Sequence, residues 1–242
     1  MGLLQLGLVQ ELFYMIYFHV LVVSNVFKSI VPDGKNIPIN PQKTNVVLVY
    51  GYTGTPNTFI TMEKKLKEKG YNVLIPDIGW AVGDINDFSD KLARFLDEKD
   101  EELRVCCGMR LADLGNKFVL LGHSMGGLIV LNAQRRHPEY VGFPVITMGS
   151  PIRGTWLAYF EPWSTAVREM QPRSSLIKSI RQDVMLHPRK MTHIRGSWDE
   201  LVPYNNSAFD GYPVFTVYRG GHAALIYNPP IEELFYIFNQ SR

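Results

Sequence analysis

Beyond residue 42 the apolar positions fall into short runs that alternate with longer amphipathic stretches. Asn45-Val46-Val47-Leu48-Val49-Tyr50 is a near-continuous apolar run of strand length, as a strand covered on both faces requires. Thr58 to Lys69 has helical spacing and stops at Gly70. The pattern then repeats with a strand at Tyr71-Asn72-Val73-Leu74-Ile75, an amphipathic helix from Ile85 to Glu98, and a strand at Lys117-Phe118-Val119-Leu120-Leu121. A helix from Met125 to Arg136 and a strand at Pro144-Val145-Ile146-Thr147-Met148 follow. Further strands are predicted at Met191 to Arg195 and Val214 to Tyr218, with a closing helix from Ile231 to Phe238. Strands and helices alternating in this way predict an α/β fold, a mostly parallel central sheet flanked by helices.

Two stretches break the alternation. From Lys99 to Arg110 the chain is highly charged, which fits an exposed helix extension or loop with a solvated face. Between Gly154 and His187, Trp156, Tyr159, Phe160, Trp163, Met170, Leu176 and Ile177 are interspersed with charges, which reads as a helical insertion over the sheet's C-terminal edge. Open α/β sheets bind ligands at that edge, so Trp156, Tyr159, Phe160 and Trp163 are candidate substrate contacts in a lid or acyl pocket. Any one of them is equally explained as ordinary packing.

The N-terminus has a different character. No Lys or Arg occurs from Gly2 to Phe27, and Leu12 to Phe27 is almost wholly apolar and aromatic. About 25 helical residues span roughly 37 Å, enough for a hydrocarbon core of about 30 Å. One reading of residues 1–30 is therefore a membrane anchor, opposed by Gln5, Gln10, Glu11 and His19, which are costly in lipid. The other is an extra helix or strand packed on the domain, or a self-association surface. A basic n-region and a small-residue cleavage site are missing, which argues against a secretory signal. If the segment spans, Lys28, Lys35 and Lys43 on its C-terminal side place the domain in the cytoplasm. The expected location is thus membrane-associated with a cytoplasmic domain, otherwise cytoplasmic.

A chain of 242 residues suits one domain, here residues 43–242, with an insertion at about 154–187. The net charge of +2 is mild and the basic residues are scattered among acids, so no face suited to nucleic acid stands out. Cys106 and Cys107 are adjacent, a spacing that suits neither an ordinary structural disulfide nor a metal site, and the six histidines form no ligand cluster. No metal and no cofactor is expected.

The chemistry centres on Gly122-His123-Ser124-Met125-Gly126-Gly127, which follows a predicted strand and opens a predicted helix. A sharp strand-to-helix turn puts its corner residue in strained geometry and needs flanking positions without side chains, so Ser124 is the candidate nucleophile. It lies at a helix N-terminus, where unpaired N–H groups favour developing negative charge. A serine hydroxyl needs a base, and the base a carboxylate to orient it. In the sheet implied here these follow in the order Ser, acid, His on loops after later strands. His222, after Gly220-Gly221, fits the base; His123, inside the turn and taken to point elsewhere, and His137, His187 and His193 read as structural. Asp199, just after a predicted strand, fits the acid. Glu200 is expected to face another way, and Asp183 and Asp210 to be surface or turn carboxylates. The backbone amides of Met125 and Tyr52, the latter in the loop Tyr50-Gly51-Tyr52-Thr53-Gly54-Thr55, are the candidate oxyanion donors.

With these residues the chain resembles the α/β-hydrolase superfamily, and within it bacterial lipases and carboxylesterases of the triacylglycerol-lipase type. The resemblance runs from about Lys43 to Asn239. Besides the Ser124 turn it rests on Gly149-Ser150-Pro151-Ile152-Arg153-Gly154-Thr155, Met170-Gln171-Pro172-Arg173-Ser174-Ser175-Leu176, the loop ending Val202-Pro203, and Gly221-His222-Ala223-Ala224-Leu225-Ile226 leading to Pro229. It implies an α/β-hydrolase fold with a helical lid, and hydrolysis of carboxylic esters through an acyl-serine. Tyr50 stands where such enzymes usually carry the histidine of a His-Gly loop, and Ile152 and Arg173 replace a frequent histidine and glycine. The aromatic insertion and apolar N-terminus favour an apolar or lipid ester. Competing readings are an acyltransferase or thioesterase using the same acyl-serine, and an inactive module that binds a partner or a membrane.

Overall fold

Six strands, β1 (Asn45–Val49), β2 (Asn72–Leu74), β3 (Phe118–His123), β4 (Val145–Met148), β5 (Met191–Gly196) and β6 (Val214–Val217), form one sheet in the computed structural model, which describes residues 37–218 and 220–240. The order is β2-β1-β3-β4-β5-β6 and every neighbouring pair is parallel. The helices are α1 (Ile60–Glu68), α2 (Ile85–Cys107), α3 (Met125–Arg136), α4 (Thr165–Glu169), α5 (Ser175–Leu186), α6 (Ala224–Tyr227) and α7 (Ile231–Gln240). The chain runs outward from β1 to β2, then returns past β1 to β3 and continues in one direction to β6. The strand order therefore reverses between β1 and β3, and the loops leaving these neighbours meet at the sheet's carboxyl edge. Val49 pairs with Gly122, which sets the end of β1 beside the start of the serine turn.

Every residue of β1, β3 and β4 is buried, which is why each reads as a continuous apolar run rather than an alternating one. Helix α3 is buried from Met125 to Gln134, close beside β3 and packed against α2 on its outer side. A helix apolar around most of its circumference sits inside a core rather than on its surface.

The charged stretch after Glu98 is the helix extension allowed for it rather than a loop, and the structure departs from the sequence expectation at the insertion. Helix α2 runs on from Glu98 to Cys107 and ends at Gly108, whose φ of 66° is the left-handed cap that releases the chain. Its charged extension is only partly solvated: Lys99 is buried and its amine reaches Glu102 at 2.9 Å. The insertion expected up to residue 187 is shorter, because α5 buries Leu176, Ile177, Ile180 and Val184 and is the crossover helix that joins parallel β4 to β5. The non-crossover part is about 154–174, holding a 3-10 turn at Trp156–Tyr159 and α4. Residues 1–30 lie outside the described residues, and so does the membrane reading made for them. Among the described residues no helix is long and apolar enough to cross a membrane.

Candidate active site

Ser124 joins β3 to α3 with φ 55° and ψ −130°, a left-handed backbone that costs a non-glycine residue about 1–3 kcal/mol. The neighbouring glycines make that corner geometrically accessible. A Cβ on Gly126 would lie 2.0 Å from the Val49 carbonyl oxygen, and one on Gly122 would lie 2.4 Å from the Gly126 carbonyl carbon. Any side chain at either position would push the turn out of the sheet. The Ser124 N–H donates to the Met148 carbonyl at 2.9 Å, tying the corner to β4. Met125 opens α3, so its N–H has no acceptor within the helix and lies at the positive end of the helix dipole.

His222 lies in the turn between β6 and α6. Its Nδ1 is 3.0 Å from Asp199 Oδ1 and 2.9 Å from Oδ2, with both side chains buried. Asp199 Oδ1 also accepts the N–H groups of Leu201 and Val202, at 3.0 and 2.7 Å, so the acid loop fixes its own carboxylate. A carboxylate facing Nδ1 holds the proton there and leaves Nε2 as the basic nitrogen. Two contacts locate this pair beside the serine turn. The His123 ring nitrogen Nε2 lies 3.2 Å from the His222 carbonyl oxygen, with ring centroids 4.7 Å apart. Gly149, one residue past the carbonyl that anchors Ser124, would carry a Cβ 3.1 Å from Asp199 Oδ2 and 3.4 Å from His222 Nδ1. Ser124, Asp199 and His222 thus follow the carboxyl ends of β3, β5 and β6, and Gly149, after β4, packs against the Asp199–His222 pair.

The loop after β1 presses on the same corner. A Cβ on Gly51 would lie 2.7 Å from Ser124 Cβ and 3.1 Å from the Met125 nitrogen. Tyr52 follows, and Thr53, at φ 58°, turns the loop and donates its N–H to Ala81 at 3.0 Å. The Tyr52 hydroxyl donates to Glu161 Oε1 at 2.5 Å, joining this loop to the insertion. Burial and the Glu161 carboxylate raise the Tyr52 phenol above its usual range, keeping it protonated as a donor. Tyr50, just past the end of β1, is fully buried: its hydroxyl donates to the Gly79 carbonyl at 2.8 Å and accepts from the Ile78 N–H at 2.9 Å. It braces the loop after β1 against the loop after β2, and burial raises its phenol.

Trp156, Tyr159, Phe160 and Trp163 lie on the surface of the insertion, 61%, 42%, 78% and 75% exposed, with Trp156 and Tyr159 in ring contact at 5.4 Å. Glu161, between them, supplies the link to the serine corner. Two expectations about charged neighbours are corrected. Glu200 does not face away: its Oε2 accepts the backbone N–H of His222 at 3.2 Å. His123 does not point elsewhere, since its buried ring touches His222. Both contact backbone groups far away in sequence, which no local pattern signals. His193 is buried against Thr147 and Phe209, His187 sits beside Asp183, and His137 is near Asp90, so none enters the site. Asp210 pairs with Arg153, and Asp183 with Arg189. Among the described residues no group of three or more His, Cys, Asp or Glu side chains could hold a metal ion.

Solved structures of similar shape share this architecture. The mature form of the lipase BlEst2 of Bacillus licheniformis is 19% identical, with a TM-score of 0.66 over 85% of this chain and 96% of that one. MGS-MChE2, an alpha/beta hydrolase enzyme from a lagoon-sediment metagenome, is 21% identical, with a TM-score of 0.59 over 82% of this chain and 91% of that one. The structure of a carboxylesterase from the thaumarchaeon Nitrososphaera gargenis is 14% identical, with a TM-score of 0.55 over 84% and 93%. The protein has the α/β-hydrolase fold. No family model matches the sequence. A 1-acylglycerol-3-phosphate O-acyltransferase of Arabidopsis thaliana is 28% identical over 135 residues, covering 50% of this chain and 30% of that protein. The chain thus spans less than a third of the length of this relative.

Proposed function

We propose that the protein is a serine hydrolase of apolar or lipid carboxylic esters, with Ser124, His222 and Asp199 as its triad. His222 Nε2 removes the Ser124 proton, and the hydroxyl oxygen attacks the ester carbonyl. The backbone N–H groups of Met125 and Tyr52 hold the resulting oxyanion, each such donor typically contributing about 100- to 1,000-fold. Collapse expels the alcohol, protonated by His222, and leaves an acyl-serine. Water, deprotonated by the same imidazole, then releases the acid. Asp199 orients the ring and stabilises the imidazolium that forms twice per cycle. The observation that carries this reading is the His222–Asp199 pair, closed at 2.9 Å and set against the strained corner of Ser124.

Preference for an apolar ester rests on a surface asymmetry. All four tryptophans follow carboxyl ends of strands: Trp80 after β2, Trp156 and Trp163 after β4, Trp198 after β5. Each is about half exposed or more, on the edge that holds Ser124. Amphipathic rings around a site mouth suit a substrate with an apolar chain and a polar head. Residues 154–174 act in this reading as a cap, and residues 1–30 as a membrane contact. Hydrolysis of p-nitrophenyl esters from acetyl to palmitoyl, by the wild type and Ser124→Ala, is the test. We expect medium or long chains to be preferred and the variant to be inert; a sharp optimum at acetyl overturns the lipid assignment, and an active Ser124→Ala overturns the mechanism. Removing Met1 to Phe27 is expected to abolish partition into vesicles while sparing turnover of soluble esters.

The likeness to an acyltransferase favours a second reading, in which an alcohol rather than water resolves the acyl-serine. Product analysis with a lysophospholipid or a simple alcohol present distinguishes the two: acyl transfer yields a new ester, hydrolysis a free acid.

A further inference from the structure

The turn that carries His222 is held on two sides. Three successive residues of the acid loop reach it or the strand end before it: the Ser197 N–H donates to Val217 at 3.0 Å, the Trp198 N–H to Gly220 at 3.1 Å, and the Asp199 carboxylate meets the imidazole. Glu200 continues the series by accepting the His222 N–H at 3.2 Å. On the opposite side His123 Nε2 lies 3.2 Å from the His222 carbonyl oxygen. A carbonyl can only accept, so that nitrogen carries the proton. Both polar ends of the His222 residue are thus engaged, one by an acid-loop side chain and the other by the residue immediately before Ser124.

We propose that His123 and Glu200 are positioning residues that clamp the backbone of His222 from opposite ends and fix the imidazole's approach to Ser124. The proposal rests on His222 being the base of the proposed hydrolase. The need for a clamp follows from the chain itself: Gly220 and Gly221 precede His222, and two glycines in series give the base a soft backbone hinge. A misplacement of about 1 Å can cost about 100-fold in rate, so a base on such a hinge requires restraint outside its own segment. His123 supplies it in a specific way. Because it is joined to Ser124 by one peptide bond, any shift of the corner carries the base with it, and the nucleophile–base separation is conserved as the loops breathe. The His123 ring is buried, and burial together with the neighbouring His222 charge holds its pKa well below 6.5. It therefore stays neutral while His222 gains and loses its proton, and adds no second cation beside the imidazolium. Glu200 is exposed, so its role adds little to the core and can be probed without unfolding the protein.

The experiment compares His123→Phe, His123→Gln, Glu200→Ala and Glu200→Gln with the wild type and Ser124→Ala in kcat, KM and melting temperature. Phenylalanine fills the space without a donor, whereas glutamine restores an N–H near the position of Nε2. We expect His123→Phe to lower kcat about 10-fold or more and Glu200→Ala about 3-fold or more, each with KM within about twofold, and both glutamine variants to recover most of the loss. A role in packing alone predicts phenylalanine at least as good as glutamine. Equal kcat for wild type, His123→Phe and Glu200→Ala overturns the clamp, as does a His123→Gln no better than His123→Phe. If the His123 variants do not fold, Glu200→Ala decides: unchanged kcat overturns the proposal. Activity in Ser124→Ala refutes the hydrolase mechanism itself, an outcome separate from these.

Discussion

At the residue scale, the serine corner stores strain that the proposed nucleophile role accounts for. Ser124 holds φ 55°, a value at which glycine carries no steric penalty. Ser124→Gly is accordingly expected to stabilise the protein by about 1 kcal/mol in urea denaturation while lowering turnover at least about 1,000-fold. A glycine variant less stable than the wild type means that the hydroxyl holds the turn by bonds that outweigh the strain. The strained corner at Ser124 was legible in the sequence, because such a turn demands Gly122 and Gly126 in fixed spacing, and chain order singled out Asp199 and His222, which lie 2.9 Å apart; their roles as acid and base belong to the proposed function. His123 and Glu200 were not legible in this way. Each acts on a main-chain group about 20 to 100 positions away, and a backbone carbonyl or N–H leaves no mark in the sequence it belongs to.

At the element scale, what the sequence obscured was where an insertion ends and a crossover begins. Leu176, Ile177, Ile180 and Val184 have the spacing of a one-sided helix, and α5 buries all four. The aromatics upstream drew the insertion too far, since surface tryptophans and buried leucines look alike as apolar letters. The part that remains is attached at two points. Glu161 is held by Tyr52 at 2.5 Å, and Glu169, at the end of α4, accepts the Ile85 N–H at 2.8 Å and so caps α2 from outside that helix. Cutting the first tether should loosen the exposed stretch around Phe160 without touching the fold. Tyr52→Phe is expected to speed chymotryptic cleavage after Phe160 several-fold and to lower kcat, because the Tyr52 backbone N–H is a proposed oxyanion donor. Cleavage at the wild-type rate shows that the phenol does not anchor this segment.

At the scale of the whole molecule, parallel pairing follows from alternating apolar runs and helices, which is why the layered architecture could be read from the sequence. The acid sensitivity of the fold could not, since it depends on which histidines lie between strands. His193, on β5, is fully buried beside Thr147 of β4: Nδ1 is 2.6 Å from the Thr147 hydroxyl, and Nε2 accepts the Phe209 N–H at 3.2 Å. An acceptor nitrogen cannot be protonated, and burial, aided by the charges of Arg153 and Arg195, pulls the pKa from 6.5 down to about 4. Above pH 6.5 the native and unfolded states are both neutral at this residue and its titration is silent. Between pH 6.5 and 4 the unfolded chain binds a proton that the native state does not, so stability falls as pH drops, and below pH 4 the loss levels off. From pH 8 to 5 this one residue withdraws about 2 kcal/mol, and buried His123, shifted in the same direction, adds to it. Urea midpoints at pH 8, 6.5 and 5 should therefore decline for the wild type. His193→Gln, though less stable at pH 8, should decline less steeply, and equal slopes would mean that the native protein accommodates a charge at residue 193.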